Sequence, residues 1–269
     1  MLLALTLLAG CDRPLSLEEA GEALDAFVLA ARADAMTTGV VELTTDFTIG
    51  QAVEDSARNL RDFVASQLPC STVTVEGATV TMDFGDLEDA CTWQGATYAG
   101  VARVTLDAVG DRVQVHHAWE GLTDGTATLD GEADVTWDPA AGTREVVHTA
   151  AWTSEGRTVE GEGARVQSLV DAEEGVSAGV RIEGSRAWTV DGARWELGID
   201  GIEARPQDPV PQAGTLTITT PADKVATLTF VRQDADTIRV TLDGARRPYV
   251  VDVTGAVVTP VEDGEASTR

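Results

Sequence analysis

The rhythm of apolar and polar positions changes once along this chain. Up to residue 69 apolar side chains recur every three or four residues, and from Cys70 onward they recur every second residue. Leu17, Ala20, Leu24, Phe27, Val28 and Ala31 fall on one helical face, so the spacing predicts a first helix over 17–35. Ser16-Leu17-Glu18-Glu19 forms a capping box at its start: the Ser16 hydroxyl accepts from the Glu19 amide, and Glu19 reaches back. Thr38-Gly39 breaks the helix, and the β-branched run 40–48 reads as a short strand or an ordered connector. After Gly50, the stripe Val53, Ala57, Leu60, Val64 and Leu68 predicts a second helix. Pro69 ends it, because proline lacks the amide proton that the next turn needs.

Beyond Cys70 the alternation is that of strands with one buried face. Val113, Val115, His117 and Trp119 alternate with Arg112, Gln114, His116 and Ala118, and Ala133, Val135 and Trp137 alternate with acids and Thr. The pattern returns at Val176 to Ile182, Trp195 to Ile199, Leu216 and Ile218, Ala226 to Phe230, Ile238 to Leu242 and Tyr249 to Val253. A parallel sheet covered on both faces would be apolar throughout, so these strands are expected to be antiparallel. Glu76-Gly77, Asp130-Gly131, Glu160-Gly161, Glu183-Gly184, Asp191-Gly192 and Asp243-Gly244 are the expected hairpin turns, at spacings too irregular for a propeller or solenoid. The Pro-rich loop 205–212 is the expected corner between two parts of the sheet.

The expected fold is mainly β: a large antiparallel meander sheet, as a curved sheet, sandwich or half-barrel, with an N-terminal pair of helices packing on it. The divisions read as 1–10, a lipoprotein signal peptide; 11–15, a lipid anchor and tether; 16–69, the helical segment; 70–255, the β domain; and 256–269, a flexible tail. Aromatic residues make up only 5% of the chain, which argues against the aromatic girdles of a transmembrane barrel.

The N-terminus sets the expected location. Residues 2–10 are uncharged and mostly Leu and Ala, and Leu8-Ala9-Gly10-Cys11 resembles a bacterial lipobox, although no Lys or Arg precedes the run. The resemblance implies cleavage before Cys11 and acylation of its thiol, traceable with palmitate. The protein would then be exported and held by lipid in the cell envelope, at the inner or outer membrane, facing the periplasm or the surface. Asp12 resembles an inner-membrane retention signal of some bacteria. The apolar run is too short to span a bilayer, which takes about 20 residues.

Charge narrows the partners. With 45 acidic against 19 basic residues the net charge is −26, which excludes nucleic acid or anionic lipid held by a broad basic surface. The acids are spread along the chain, so they read as solubilising rather than as a cation store. With Cys11 assigned to lipid, Cys70 and Cys91 remain as an even pair in an oxidising compartment and are expected to be bridged. A metal or redox pair is the rival reading, but the four clustered ligands of a zinc site are missing.

The chain contains no nucleophile elbow, zincin helix, P-loop or complete dinucleotide-binding glycine motif; Gly161-Glu162-Gly163 only begins one. His117 and His148 share apolar faces with Trp119 and with Val146 and Trp152, so they read as marginal core residues rather than ligands. Asp83, Asp86, Glu88 and Asp89 are the densest acids, but they depart from the EF-hand order. Trp119, Trp137, Trp152, Trp188 and Trp195 are in phase with apolar neighbours and read as core.

Asp83-Phe84-Gly85, then Cys91, then Gly95-Ala96-Thr97-Tyr98-Ala99-Gly100 resembles a motif of uncharacterised β-rich lipoproteins of Gram-negative envelopes. Leu129-Asp130-Gly131 with Val135-Thr136-Trp137, and Pro211 to Thr215, are similar to later parts of such chains, so the resemblance spans about 40–255. That family's activity is unknown, and it implies no catalytic residue. The expected function is a non-catalytic envelope lipoprotein with a binding or structural role, without cofactor or metal. Its partners would be the membrane, through lipid on Cys11, and a protein or small molecule of unknown identity. The alternative is a half-barrel carrier that holds an acyl chain or lipoprotein in an apolar cavity.

Overall fold

The structure is a computed structural model. It describes residues 14–16, 18–19, 21–23, 53–67, 69–89, 91–93, 96–138, 140–154, 156–171, 173–174, 178–205, 207–245, 247–255 and 257–261. The chain is mainly β, in a single antiparallel meander of 15 strands that does not close into a barrel. A helix, α1 (Val53–Gln67), precedes β1 (Thr72–Glu76), β2 (Thr79–Asp83), β3 (Cys91–Trp93), β4 (Ala96–Val109) and β5 (Arg112–Thr123). Then follow β6 (Ala127–Asp138), β7 (Thr143–Ser154), β8 (Arg157–Leu169), β9 (Val180–Val190) and β10 (Ala193–Ala204). The last five are β11 (Ala213–Thr219), β12 (Val225–Arg232), β13 (Thr237–Asp243), β14 (Tyr249–Thr254) and β15 (Val257–Pro260). Each strand pairs with the next in sequence, except that β2 and β3 share one edge of β4.

The period-two pattern decides which face is buried. On β5, Val113, Val115, His117 and Trp119 are buried and their neighbours are not. The same alternation carries Val80 and Met82, Val135 and Ala133, Val146 and Trp152, Trp195 and Leu197, and Ile218 into one core. Ala57, Leu60 and Val64, the predicted stripe of α1, join that core fully buried, with α1 lying against β1, β2 and β4. Among the described residues no helix is long and apolar enough to cross a membrane.

Of the predicted first helix, residues 18–19 and 21–23 are helical; its remainder, the run 40–48, Cys11 and the tail from 262 lie outside the described residues. The capping box forms, with the Glu19 amide 3.2 Å from Ser16 Oγ and the Ser16 amide 2.8 Å from Glu19 Oε2. The Leu15 amide donates to Gly244 O at 2.8 Å, and Lys224 Nζ meets Glu19 Oε1 at 2.5 Å. Leu15 and Glu19 therefore touch the β13–β14 and β11–β12 turns, and α1 touches β1, β2 and β4.

Several expectations change. The sheet continues past 255, since β15 pairs with β14. The loop 205–212 is no corner between separate parts: β10 and β11 pair directly across it, and Val210 packs into a small second cluster with Ile202, Phe230 and Ile238. Asp191-Gly192 is a true hairpin turn, both residues having positive φ (52° and 78°), and Glu76-Gly77 and Asp243-Gly244 also sit at strand ends. Asp130-Gly131, Glu160-Gly161 and Glu183-Gly184 instead lie inside long strands. There the missing Cβ makes room for a neighbour, as at Gly161, where a Cβ would stand 2.6 Å from the Trp152 ring.

Curvature comes from paired glycines. Gly121 in β5 and Gly201 in β10 sit at register shifts with φ of 55° and 56°. Their carbonyls press on Gly100 and Gly214 of the adjoining strands, where an added Cβ would stand 2.3 Å from the oxygen. A bulge carbonyl aimed at a neighbouring backbone is tolerated only where that backbone bears no side chain.

Candidate functional site

Antiparallel pairing sets side chains of one face into rows across the strands. One row places His117 on β5, Ala133 on β6, His148 on β7, Gly163 on β8, Arg186 on β9 and Leu197 on β10. The adjoining rows place Arg165 beside Val146, and Arg144 beside Gln167. His117, His148, Arg165 and Gln167 are all buried, and Arg144 Nε donates to Gln167 Oε1 at 2.8 Å. His148 and Arg186 meet over Gly163, where a Cβ would lie 2.5 Å from the imidazole Cε1 and 3.0 Å from Arg186 Cγ. The in-facing strand positions of β5 to β12 carry no Asp or Glu, although the chain has 45 of them; a nearly buried carboxylate, Asp208, reaches this face from the loop between β10 and β11 and pairs with Arg232.

Aromatic rings continue this face. Trp188 and Trp195 face each other across β9 and β10 with centroids 6.5 Å apart and planes 7° apart. His117 stacks on Trp119 at 6.1 Å. The indole N–H groups of Trp119, Trp152, Trp188 and Trp195 are buried and make no hydrogen bond among the described residues. Burial, with the neighbouring His116 and Arg144 adding to it, pushes His117 down to about 3, so the imidazole is neutral in the fold.

The solvent face has the opposite character. Arginines there meet carboxylates on the neighbouring strand: Arg103 with Glu120 at 3.0 Å, Arg112 with Asp138 at 3.1 Å and Arg239 with Asp252 at 2.8 Å. Such exposed pairs contribute about 0–1 kcal/mol each. A groove of about 590 Å³ crosses β7 to β11 on this face. Its floor is the small-residue row Ala164, Ser185 and Gly198, with Thr149, Thr217 and Thr219 beside it. Arg194 lies across Ala187, held by Glu162 at 3.0 Å and Glu196 at 3.2 Å, so Ala187 is only 9% exposed on an otherwise open face.

The predicted site residues fall as follows. Cys70 and Cys91 are bridged, 21 residues apart with Cα atoms 5.5 Å apart. His116 is on the solvent face, 2.8 Å from Asp134, while His117 and His148 share the buried row with Ala133 between them. Among the described residues no three His, Cys, Asp or Glu side chains gather to hold a metal. Asp83 caps Gly85, and Glu88 and Asp89 lie in an exposed 3₁₀ turn. Gly161-Glu162-Gly163 is a strand segment roofed by Trp152 and His148 and has no helix to cradle a phosphate. Trp119, Trp152, Trp188 and Trp195 are core residues, and Trp137 is half-buried.

The basic residues of the buried face, Arg144, Arg165 and Arg186, were not legible as a group. Their signal lies in the phase: Arg144 and Arg186 each sit two residues from an apolar or aromatic in-facing position, at Val146 and Trp188, and Arg165 sits two residues from the buried Gln167. Fold and face together define an open, one-sided antiparallel meander with a basic and aromatic interior. The chain matches no family model, no curated protein and no solved structure.

Proposed function

We propose that this chain is a non-catalytic envelope lipoprotein of the β-rich Gram-negative kind, acylated at Cys11, exported, and working as a binding module at the membrane surface. The observation that carries the binding role is the segregation of charge. A chain of net charge −26 puts no Asp or Glu at the in-facing strand positions of β5 to β12 and sets arginine, histidine and tryptophan there, the loop carboxylate of Asp208 being paired with Arg232. Arg144 and Arg186, which are only partly buried there, are the groups that meet a partner, and the buried histidines and tryptophans position them. The lipobox at 8–11 supports the anchor. Metabolic labelling with palmitate, followed by mass analysis of the mature N-terminus, tests it: label on the wild type and none on Cys11→Ser is expected, and an unlabelled wild type sinks the anchor.

The carrier reading is second. It is favoured by the in-facing row Ile199, Leu216, Leu228 and Leu242, which is only partly buried, beside the exposed Tyr249. Against it stand the buried Trp119, Trp152, Trp188 and Trp195, which fill space an acyl chain would need. Titration of the unacylated protein with a fluorescent fatty acid separates the two readings. Saturable one-to-one binding makes the carrier the better account, and no binding leaves the packed face.

A further inference from the structure

We infer that the protein lies against the bilayer in one fixed orientation, with the β11–β12 and β13–β14 turns facing the lipid headgroups. This rests on the proposal that Cys11 is acylated. Leu15 is hydrogen-bonded by its backbone amide to Gly244 and bridges Ala245 in parallel. Only four residue steps separate Cys11 from Leu15, and extended chain covers at most about 3.6 Å per residue, so the lipid can stand no further than about 14 Å from this turn. Glu19 and Lys224 add a second tie, to the neighbouring turn. A lipid attached through so short and doubly held a lead cannot swing the body about freely.

The surface at this end suits a headgroup layer. Tyr249 is 57% exposed and Val225 47% exposed, at the first residues of β14 and β12. Arg247 is exposed in the same turn as Tyr249, and Arg246 stands next to it in sequence. An amphipathic ring beside arginine is the pairing found at membrane–water interfaces. Asp223, Asp243 and the Glu19 carboxylate lie at the same end, so the fit comes from the tether and the ring more than from net charge. The opposite ends of these strands carry Asp234 and Asp236. β12 has eight residues, which at about 3.3 Å each puts that turn about 26 Å further from the membrane.

The test uses the mature acylated chain on phosphatidylethanolamine–phosphatidylglycerol vesicles that contain a headgroup-spin-labelled lipid. A fluorophore is attached at Arg247→Cys or at Asp236→Cys, with the Cys70–Cys91 bridge kept oxidised. Quenching several-fold stronger at 247 than at 236 is expected. Equal quenching, or more at 236, overturns the orientation while leaving acylation standing. A chain that stays off vesicles altogether overturns acylation instead. Ten Gly/Ser residues inserted between Arg13 and Pro14 must shrink the difference between the two labels; if it persists unchanged, the tether is not its cause and the inference fails.

Discussion

His117 shows what position does to one side chain. Its neighbour in sequence, His116, points to solvent and meets Asp134, whereas His117 is fully buried and held neutral, with its ionisation pushed from 6.5 to about 3. The unfolded chain takes up this proton as pH falls through about 6.5 and the folded chain does not. The stability His117 contributes is therefore complete above that range and drains away as pH falls toward about 3. Denaturation by urea across this window should lose up to about 1.4 kcal/mol per pH unit from this residue. His117→Leu should flatten the slope by about one proton, and an unchanged slope would mean that the imidazole is protonated in the fold. The half-buried Arg144, felt electrostatically at His117, is the same kind of finding: a charge placed by strand phase among apolar neighbours.

At the scale of elements, glycine and the disulfide do what the alternating pattern cannot. Gly214 has φ of 99° and no room for a Cβ beside the Gly201 carbonyl. Gly214→Ala should cost about 3 kcal/mol or more. Gly198→Ala, whose Cβ would meet nothing closer than 3.7 Å, should stay within about 0.5 kcal/mol of the parent. Chemical denaturation of both variants checks the contrast. The Cys70–Cys91 bridge pins the chain leaving α1 to β3, at the edge of β4. Replacing both cysteines by Ser should lower stability by about 3 kcal/mol through the loop it no longer closes, read from urea midpoints. A non-reduced peptide map should recover the two cysteines in one linked pair. The six Glu/Asp-Gly pairs carry the lesson of this scale. Three are at strand ends and three are inside strands, because the same missing Cβ serves a tight turn and the close approach of a ring, at Gly161, or of a neighbouring backbone, at Gly131 and Gly184.

At the scale of the molecule, the open meander is tied at two places: α1 lies on β1, β2 and β4, and Leu15 and Glu19 meet the turns of β11 to β14. Glu19 is central to the second tie: hydrogen bonds from Lys224 and from the Ser16 amide and hydroxyl hold its carboxyl down to about 2, against a usual 4.5. A depressed carboxyl contributes above its unfolded value and loses that contribution as pH falls through the folded one. Protection of the Leu15 amide, taken as its exchange relative to an unfolded amide at the same pH, should therefore fall between about pH 4.5 and 2 in the parent. Glu19→Gln should exchange faster at neutral pH and respond less to acid, and identical exchange in the two would show that the ion pair does not hold the strap. The free edge at β15 is blunted differently. Val261, two residues on from Thr259, donates to β14, so Pro260 turns its missing N–H outward and offers a new strand little to pair with.

The sequence by itself determined the mainly antiparallel sheet, the stripe of α1, the capping box, the hairpin of β1 and β2 and the cysteine pair. All of these rest on local spacing, on turn chemistry or on the parity of cysteines, which a linear chain displays directly. Only the tertiary structure decided the continuous order of 15 strands, the glycines that serve packing rather than turning, the docking of Leu15 on Gly244, and the gathering of Arg144, Arg165, Arg186 and His148 on one face. Those depend on register between strands, and register is a sum over many cross-strand pairs that no single stretch of sequence contains.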